Sequence, residues 1–313
     1  MKTIITLAFL LFSNFVYSQT GKIAIDYFGQ TPPDTIPVVF APGIICLDNR
    51  FEARGAFSPD GKSFYFTITN EDFTFQKILF CEYLNNEWTK PDTASFSKAF
   101  NNHEPFISYD GQKLFFTSDR DKQTKENTRD LFFVNKLRNG WSDPVKLDSP
   151  INSAYTEYFF SQSKNGTIYF ASNRPGGNAV FDIYFIKQQN GKYVKLNNIG
   201  SPINFGYAAD PCIAPDESYM IFTSARKADA DNVDLYISFN NNGIWSEPVK
   251  MGNQINTKAN EYSPFLSPDN KYLFFIRHDG EKGDIYWIST SIISKYKRKI
   301  KPTSANTQSG KKR

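Results

Sequence analysis

The stretch GAFSPDGKSFYFT, residues 55–67, reads as two apolar strands around a tight polar turn, the arrangement an Asp-Gly pair favours. It recurs as PFISYDGQKLFFTSDR from Pro105, YFFSQSKNGTIYFASNR from Tyr158, PCIAPDESYMIFTSAR from Pro211 and PFLSPDNKYLFFIR from Pro264. A third strand follows each copy: KILFCEY from Lys77, DLFFVNK from Asp130, DIYFIKQ from Asp182, DLYISFN from Asp234 and DIYWIST from Asp284. The four aspartates lie 52, 52 and 50 residues apart. A fourth strand opens at Trp88, Trp141, Tyr193 and Trp245, at intervals of 53, 52 and 52 residues. The unit is therefore a four-stranded antiparallel meander of about fifty residues, the size of a propeller blade.

The fifth copy lacks its fourth strand. The segment PVVFAPGIICL, residues 37–47, resembles PVKLDSPINSA from Pro144, and both lead into a glutamate that opens the next unit. The N-terminal segment is thus expected to supply the outer strand of the last blade and to close the ring, hiding two sheet edges that would otherwise invite pairing. The fold expected is all-β, a single β-propeller of about five four-stranded blades, with six as the alternative if residues 21–36 add strands.

The two ends carry other signals. Lys2, the apolar run Ile4–Phe12 and Ser18 read as a secretory signal too short to span a bilayer. From Lys295 to Arg313 there are eight Lys or Arg residues and no acids, which reads as a disordered basic tail. Setting those eight and Lys2 aside leaves 27 basic residues against 32 acidic ones, so the folded body is acidic and the net charge of +4 comes from the tail. Nucleic-acid binding is not expected. The division is residues 1–18 signal peptide, 19–36 lead-in, 37–293 propeller and 294–313 tail, with a periplasmic or secreted location. Cys46, Cys81 and Cys212 read as small buried hydrophobes, with a Cys46–Cys81 bridge as an open alternative.

The SPDG-type turns, the SNRPGG segment from Ser172 and the Asp-Ile-Tyr third strands resemble the TolB-like propeller repeat of bacterial envelope proteins, over roughly residues 37–290. That resemblance implies an envelope location; it speaks to architecture rather than activity, because propellers host both binders and enzymes. Five repeats here depart from the six blades it suggests.

For a site, acidic residues open the first strand of every unit: Glu52, Glu104, Glu157, Asp210 and Glu261. They stand four or six places before the Ser or Ala of the turn, an even spacing that would keep them on one side of a strand. Arg120, Arg174 and Arg226 end second strands at the same end of the blades. Together these eight form the candidate ligand rim. Against it stands the reading of the same residues as inter-blade ion pairs, which is placed ahead because a site breaks repeat symmetry while scaffolding respects it. Nucleophile elbows, His-Glu-x-x-His and phosphate-binding glycine loops are missing. The expected function is a monomeric, non-enzymatic binding or scaffold module for an envelope protein or glycan, with no cofactor, metal or membrane-spanning segment. The alternative is a glycan hydrolase using the rim carboxylates.

Overall fold

The computed structural model describes residues 25–121, 128–177, 179–189, 192–226 and 232–298. The expected signal peptide and most of the expected basic tail lie outside the described residues. Five antiparallel sheets follow one another along the chain. Blade 1 holds Phe51–Phe57, Ser63–Thr69 and Gln76–Leu84, with Glu87–Trp88 and Asp92–Thr93 at its edge. Blade 2 is Asn102–Ile107, Lys113–Ser118, Asp130–Asn135 and Val145–Lys146. Blade 3 is Glu157–Gln162, Ile168–Ser172, Asp182–Gln189 and Lys192–Asn198. Blade 4 is Tyr207–Ile213, Tyr219–Ala225 and Asp234–Asn241, with Ile244–Trp245 and Val249–Lys250 outside.

Blade 5 consists of Asn260–Leu266, Tyr272–His278 and Gly283–Ser289, completed by Val38–Val39 from the other end of the chain. Val38 faces Trp287 and Val39 faces Tyr286 in antiparallel register, and the Phe40 amide donates to the Ile285 carbonyl at 2.8 Å. The expected closure is what the chain forms, and it settles the count at five blades. Residues 25–36 add no further strand.

The strands alternate because their two faces meet two neighbouring blades, and the core is accordingly divided into five inter-blade clusters. The largest joins blades 5 and 1 through the N-terminal segment: Phe40, fully buried, packs on Phe57, Phe64, Phe274 and Trp287 with ring centroids 5.1–6.1 Å apart. Cys46, Cys81 and Cys212 are buried free thiols, so no disulfide supports the closure. The SPDG turns repeat one hydrogen-bond pattern. Ser58 Oγ accepts from the Ser63 amide at 2.9 Å and Asp60 Oδ1 from the Lys62 amide at 3.1 Å, with Gly61 left-handed at φ +70°. After the last strand, a short turn leads into a helix at Ile293–Lys297, where the buried Tyr296 hydroxyl accepts from the Gly252 amide at 2.9 Å.

Candidate functional site: an axial pocket

The first strand of each blade lies innermost, and every one of them carries a β-bulge at the same place. The register shifts by one residue between Ala53 and Gly55, His103 and Phe106, Tyr158 and Ser161, Ala209 and Cys212, and Tyr262 and Phe265. Glu104, Phe159, Asp210 and Ser263 sit in these bulges with φ of +58°, +59°, +51° and +49°. Such left-handed non-glycine residues are strained and cluster where structure serves function.

The bulge decides where the acids go. One extra residue reverses the alternation of a strand, so positions four and six places before the turn do not share a side. The eight candidate residues therefore do not form one array.

Three of the acids, Glu52, Glu157 and Glu261, stand six places before the turn and are fully buried. Glu157 Oε1 accepts from Arg174 Nη2 at 3.0 Å, Ser172 Oγ at 2.8 Å and Ser153 Oγ at 2.6 Å, and its Oε2 from the Ser153 amide at 3.0 Å. Arg174 also donates to the Pro150 and Ile151 carbonyls, tying the incoming linker to the second strand. Glu261 repeats the joint with Arg277 at 2.8 Å and Thr257. Glu52 uses Arg50 at 2.6 Å. In blade 2 the carboxylate is replaced by Asn102, whose Oδ1 accepts from Arg120 at 2.8 Å. In blade 4 the position is Ala208, and Arg226 holds the linker carbonyls of Pro202 and Ile203 alone. The guanidiniums of Arg120, Arg174 and Arg226 also lie over rings of their own blades, as Arg174 does over Tyr184 at 5.0 Å. This set repeats around the ring, and apart from Glu52 Oε2, which has no partner, its carboxylate oxygens are bonded within each joint.

The bulge positions do the opposite. Around the axis they read Arg54, Glu104, Phe159, Asp210 and Ser263, a different residue in each blade. Asp210 Oδ2 accepts from the Ser263 amide at 2.9 Å and from the Thr223 hydroxyl at 2.5 Å, while Ser263 Oγ donates to Glu104 Oε1 at 3.2 Å. One serine thus links both carboxylates. Arg54 Nη1 stands 4.0 Å from Glu104 Oε2. Glu104, Asp210 and Ser263 line a cavity of about 440 Å³, with Tyr158, Phe159, Tyr207 and Tyr262 as aromatic walls. His103 lies beside it, its Nε2 accepting from Arg129 Nη1 at 3.2 Å, so the buried ring is neutral and its pKa is held well below the usual value by burial and by Arg129.

Several polar atoms here have no hydrogen-bond partner: Glu104 Oε2, Asp210 Oδ1, Gln76 Oε1, His278 Nε2, and Nε and Nη1 of Arg54. Buried polar groups are nearly always paired, so this cluster is a set of groups with valences left over for a ligand or water. Burial pushes the Glu104 carboxyl up to about 8, helped by the nearby charge of Asp210 and opposed by Arg54. Burial raises Asp210 less, to about 6, because the Thr223 hydroxyl, the Ser263 amide and Arg54 favour its charged form. At neutral pH the pair holds one proton, chiefly on Glu104.

A pH dependence follows. Glu104 binds its proton more tightly folded than unfolded, so its contribution to stability is complete below about pH 4.5 and is lost as pH rises toward about 8. The loss is on the order of a few kcal/mol. Melting of wild type against Glu104→Gln from pH 5 to 9 is expected to show a steeper decline for wild type over this range. Parallel curves would show that Glu104 does not titrate as described.

Two other clusters are structural. The third-strand aspartates pair with the outer strand: Asp130 with Lys146 at 2.8 Å, Asp182 with Asn198 at 2.7 Å and Asp234 with Lys250 at 2.6 Å. Cys46, Glu52 and Asp284 bring a thiol and two carboxylates within 4.8 Å of one another, but Arg50 and Lys282 already pair with those carboxylates, at 2.6 Å and 3.1 Å.

The fold has counterparts among solved structures. The chain is similar to a putative TolB from Agrobacterium tumefaciens, 16% identical with a TM-score of 0.51, over 77% of this chain and 78% of that one. The fold is thus a β-propeller similar to that of this TolB. It is also similar to an alpha-L-arabinofuranosidase from Lactobacillus brevis, 14% identical with a TM-score of 0.50, over 75% of this chain and 86% of that one. Against TolB from Acinetobacter baumannii the identity is 14% and the TM-score 0.48, over 77% of this chain and 55% of that one. No family model matches the chain, and no curated protein matches it in sequence. At these identities the likeness speaks to the fold alone. No helix among the described residues is long and apolar enough to cross a membrane.

Sequence reasoning named Glu104 and Asp210 but missed Arg54, Ser263 and the tyrosine walls. The signal available was the one position of the first strand that differs in every repeat.

Proposed function

We propose that this protein is an exported, non-enzymatic binding module that takes its ligand in the axial pocket, at the end of the propeller where the second and third strands are linked. The observation that carries this reading is the broken symmetry of the bulge residues. Arg54, Glu104, Phe159, Asp210 and Ser263 differ in every blade and gather unpartnered buried polar atoms around one cavity, whereas the glutamate–arginine joints six places before the turn satisfy one another except at Glu52 Oε2. Folding gains nothing from orphaned carboxylate oxygens beside a cavity, since each costs about 1–3 kcal/mol. The test is ligand capture by wild type and by Asp210→Asn, set out in the Discussion.

A second reading has its own support. A neutral carboxyl beside an ionised one is the pairing glycoside hydrolysis needs, and the arabinofuranosidase among the fold neighbours shares the propeller. A panel of chromogenic glycosides separates the readings. Turnover abolished by Glu104→Gln would make the pocket an active site.

Export is the remaining part of the proposal and rests on the leader-like first eighteen residues. Fractionation of the native host with N-terminal sequencing is expected to find a chain starting near residue 19 outside the cytoplasm. An intact Met1 in the cytoplasm would overturn it.

A further inference from the structure

Resting on the axial-pocket reading, we infer that the ligand is the terminal unit of a neutral oligosaccharide, held end-on. Three features of the pocket select it.

The first is that the pocket is blind. Arg54, 1% exposed, occupies the axis beside Glu104. It lines a separate space of about 90 Å³ that faces the opposite, turn-bearing end with Pro59, Phe106 and Phe265. The larger cavity therefore has one mouth, and a chain can enter it only by its end. Its volume of about 440 Å³ falls at the small end of ligand pockets, which span roughly 300–1,000 Å³.

The second is charge. Of the side chains lining the cavity, Asp210 is ionised and Arg129 carries the opposite charge, while Glu104 holds its proton and His103 is neutral. A ligand bearing a net charge would bring into this buried site a charge without a counterpart, which is costly. A peptide entering by its end carries a charged terminus, and an internal peptide segment cannot thread a blind pocket. A sugar unit has neither difficulty.

The third is valence. The open atoms on the cavity's lining are Glu104 Oε2, Asp210 Oδ1, Gln76 Oε1 and His278 Nε2, and the proton that Glu104 holds makes its carboxyl a donor as well. Hydroxyl groups donate and accept and so meet both. Tyr158, Phe159, Tyr207 and Tyr262 offer the flat apolar surfaces on which the C–H faces of a sugar ring rest. Phe73 lines the cavity while remaining partly exposed, and Phe75 follows it, exposed, on the second-to-third-strand loop of blade 1.

The experiment is an array of oligosaccharides of defined ends, neutral and uronic-acid-bearing, probed with the full mature chain and with Asp210→Asn and Phe73→Ala. Binding of each neutral hit is then measured by calorimetry with its terminal unit intact, oxidised to the carboxylate, or blocked by a further residue. The expected result is neutral hits weakened at least tenfold by oxidation or blocking and at least tenfold by Asp210→Asn, with Phe73→Ala weakening longer chains more than disaccharides. Hits confined to anionic glycans, equal binding of end-blocked chains, or an array with no neutral hit would overturn the inference. If no glycan binds but Asp210→Asn abolishes capture of an envelope protein, the pocket reading stands and the sugar assignment falls. If a neutral glycan binds wild type and both variants equally, the pocket reading falls with it.

Discussion

Arg174→Ala is expected to lower the stability of the propeller by about 3–5 kcal/mol, the cost of removing one partner from a buried ion pair. The charge left behind is that of Glu157, fully buried and 3.0 Å from the guanidinium it would lose. The loss extends beyond the pair. Arg174 also caps the Pro150 and Ile151 carbonyls and covers Tyr184, so the linker that carries the chain from blade 2 into blade 3 is released at the same time. Chemical denaturation with Arg174→Ala and Arg174→Lys measures this. Lysine keeps a charge but not the fork that reaches both carbonyls, so it is expected to recover part of the loss. An unchanged midpoint for the alanine variant would remove the joint from the account.

Asp210→Asn is expected to leave stability within about 1 kcal/mol of wild type and to reduce ligand capture at least tenfold, a difference of about 1.4 kcal/mol in binding. The geometry makes this substitution selective. Asp210 Oδ2 accepts from Thr223 and Ser263, and the amide oxygen of asparagine can take over both bonds. Its NH₂ group then falls where Oδ1 now stands without a partner, turning that open acceptor into a donor. Removing a negative charge beside Glu104 also relieves the repulsion that raises that carboxyl. Melting by calorimetry, together with retention of ligand from an envelope extract on the immobilised protein, reads both effects. A large fall in melting temperature would place Asp210 among the structural joints.

The architecture was legible because a propeller repeats its instructions. Third-strand aspartates spaced by 52, 52 and 50 residues fix the blade length, and the missing strand after Asp284 has its counterpart at residues 37–47. The division of the acids was not legible in the same way. Counting from the turn places Glu104 and Glu157 on one side of a regular strand, and only the inserted residue between His103 and Phe106, or Tyr158 and Ser161, separates them. Left-handed backbone is usually announced by glycine, yet here Glu104, Phe159, Asp210 and Ser263 adopt it, and no residue type marks the bulge. Arg54 reads in sequence as one more strand residue, because its role comes from convergence at the axis with blades 2 and 4. The arginines at the ends of the second strands were read correctly as recurring, and recurrence is what makes them joints.

The most direct test of the central claim, that the bulge residues form the site and the glutamate–arginine joints form the scaffold, is a side-by-side capture assay. Wild type, Asp210→Asn and Arg174→Ala are immobilised, exposed to the same envelope extract well below the lowest melting temperature, and scored for retained ligand. The account predicts capture by wild type and by Arg174→Ala, and loss for Asp210→Asn. Capture by Asp210→Asn at the wild-type level, with loss for a fully folded Arg174→Ala, would contradict it and return the site to the arginine rim.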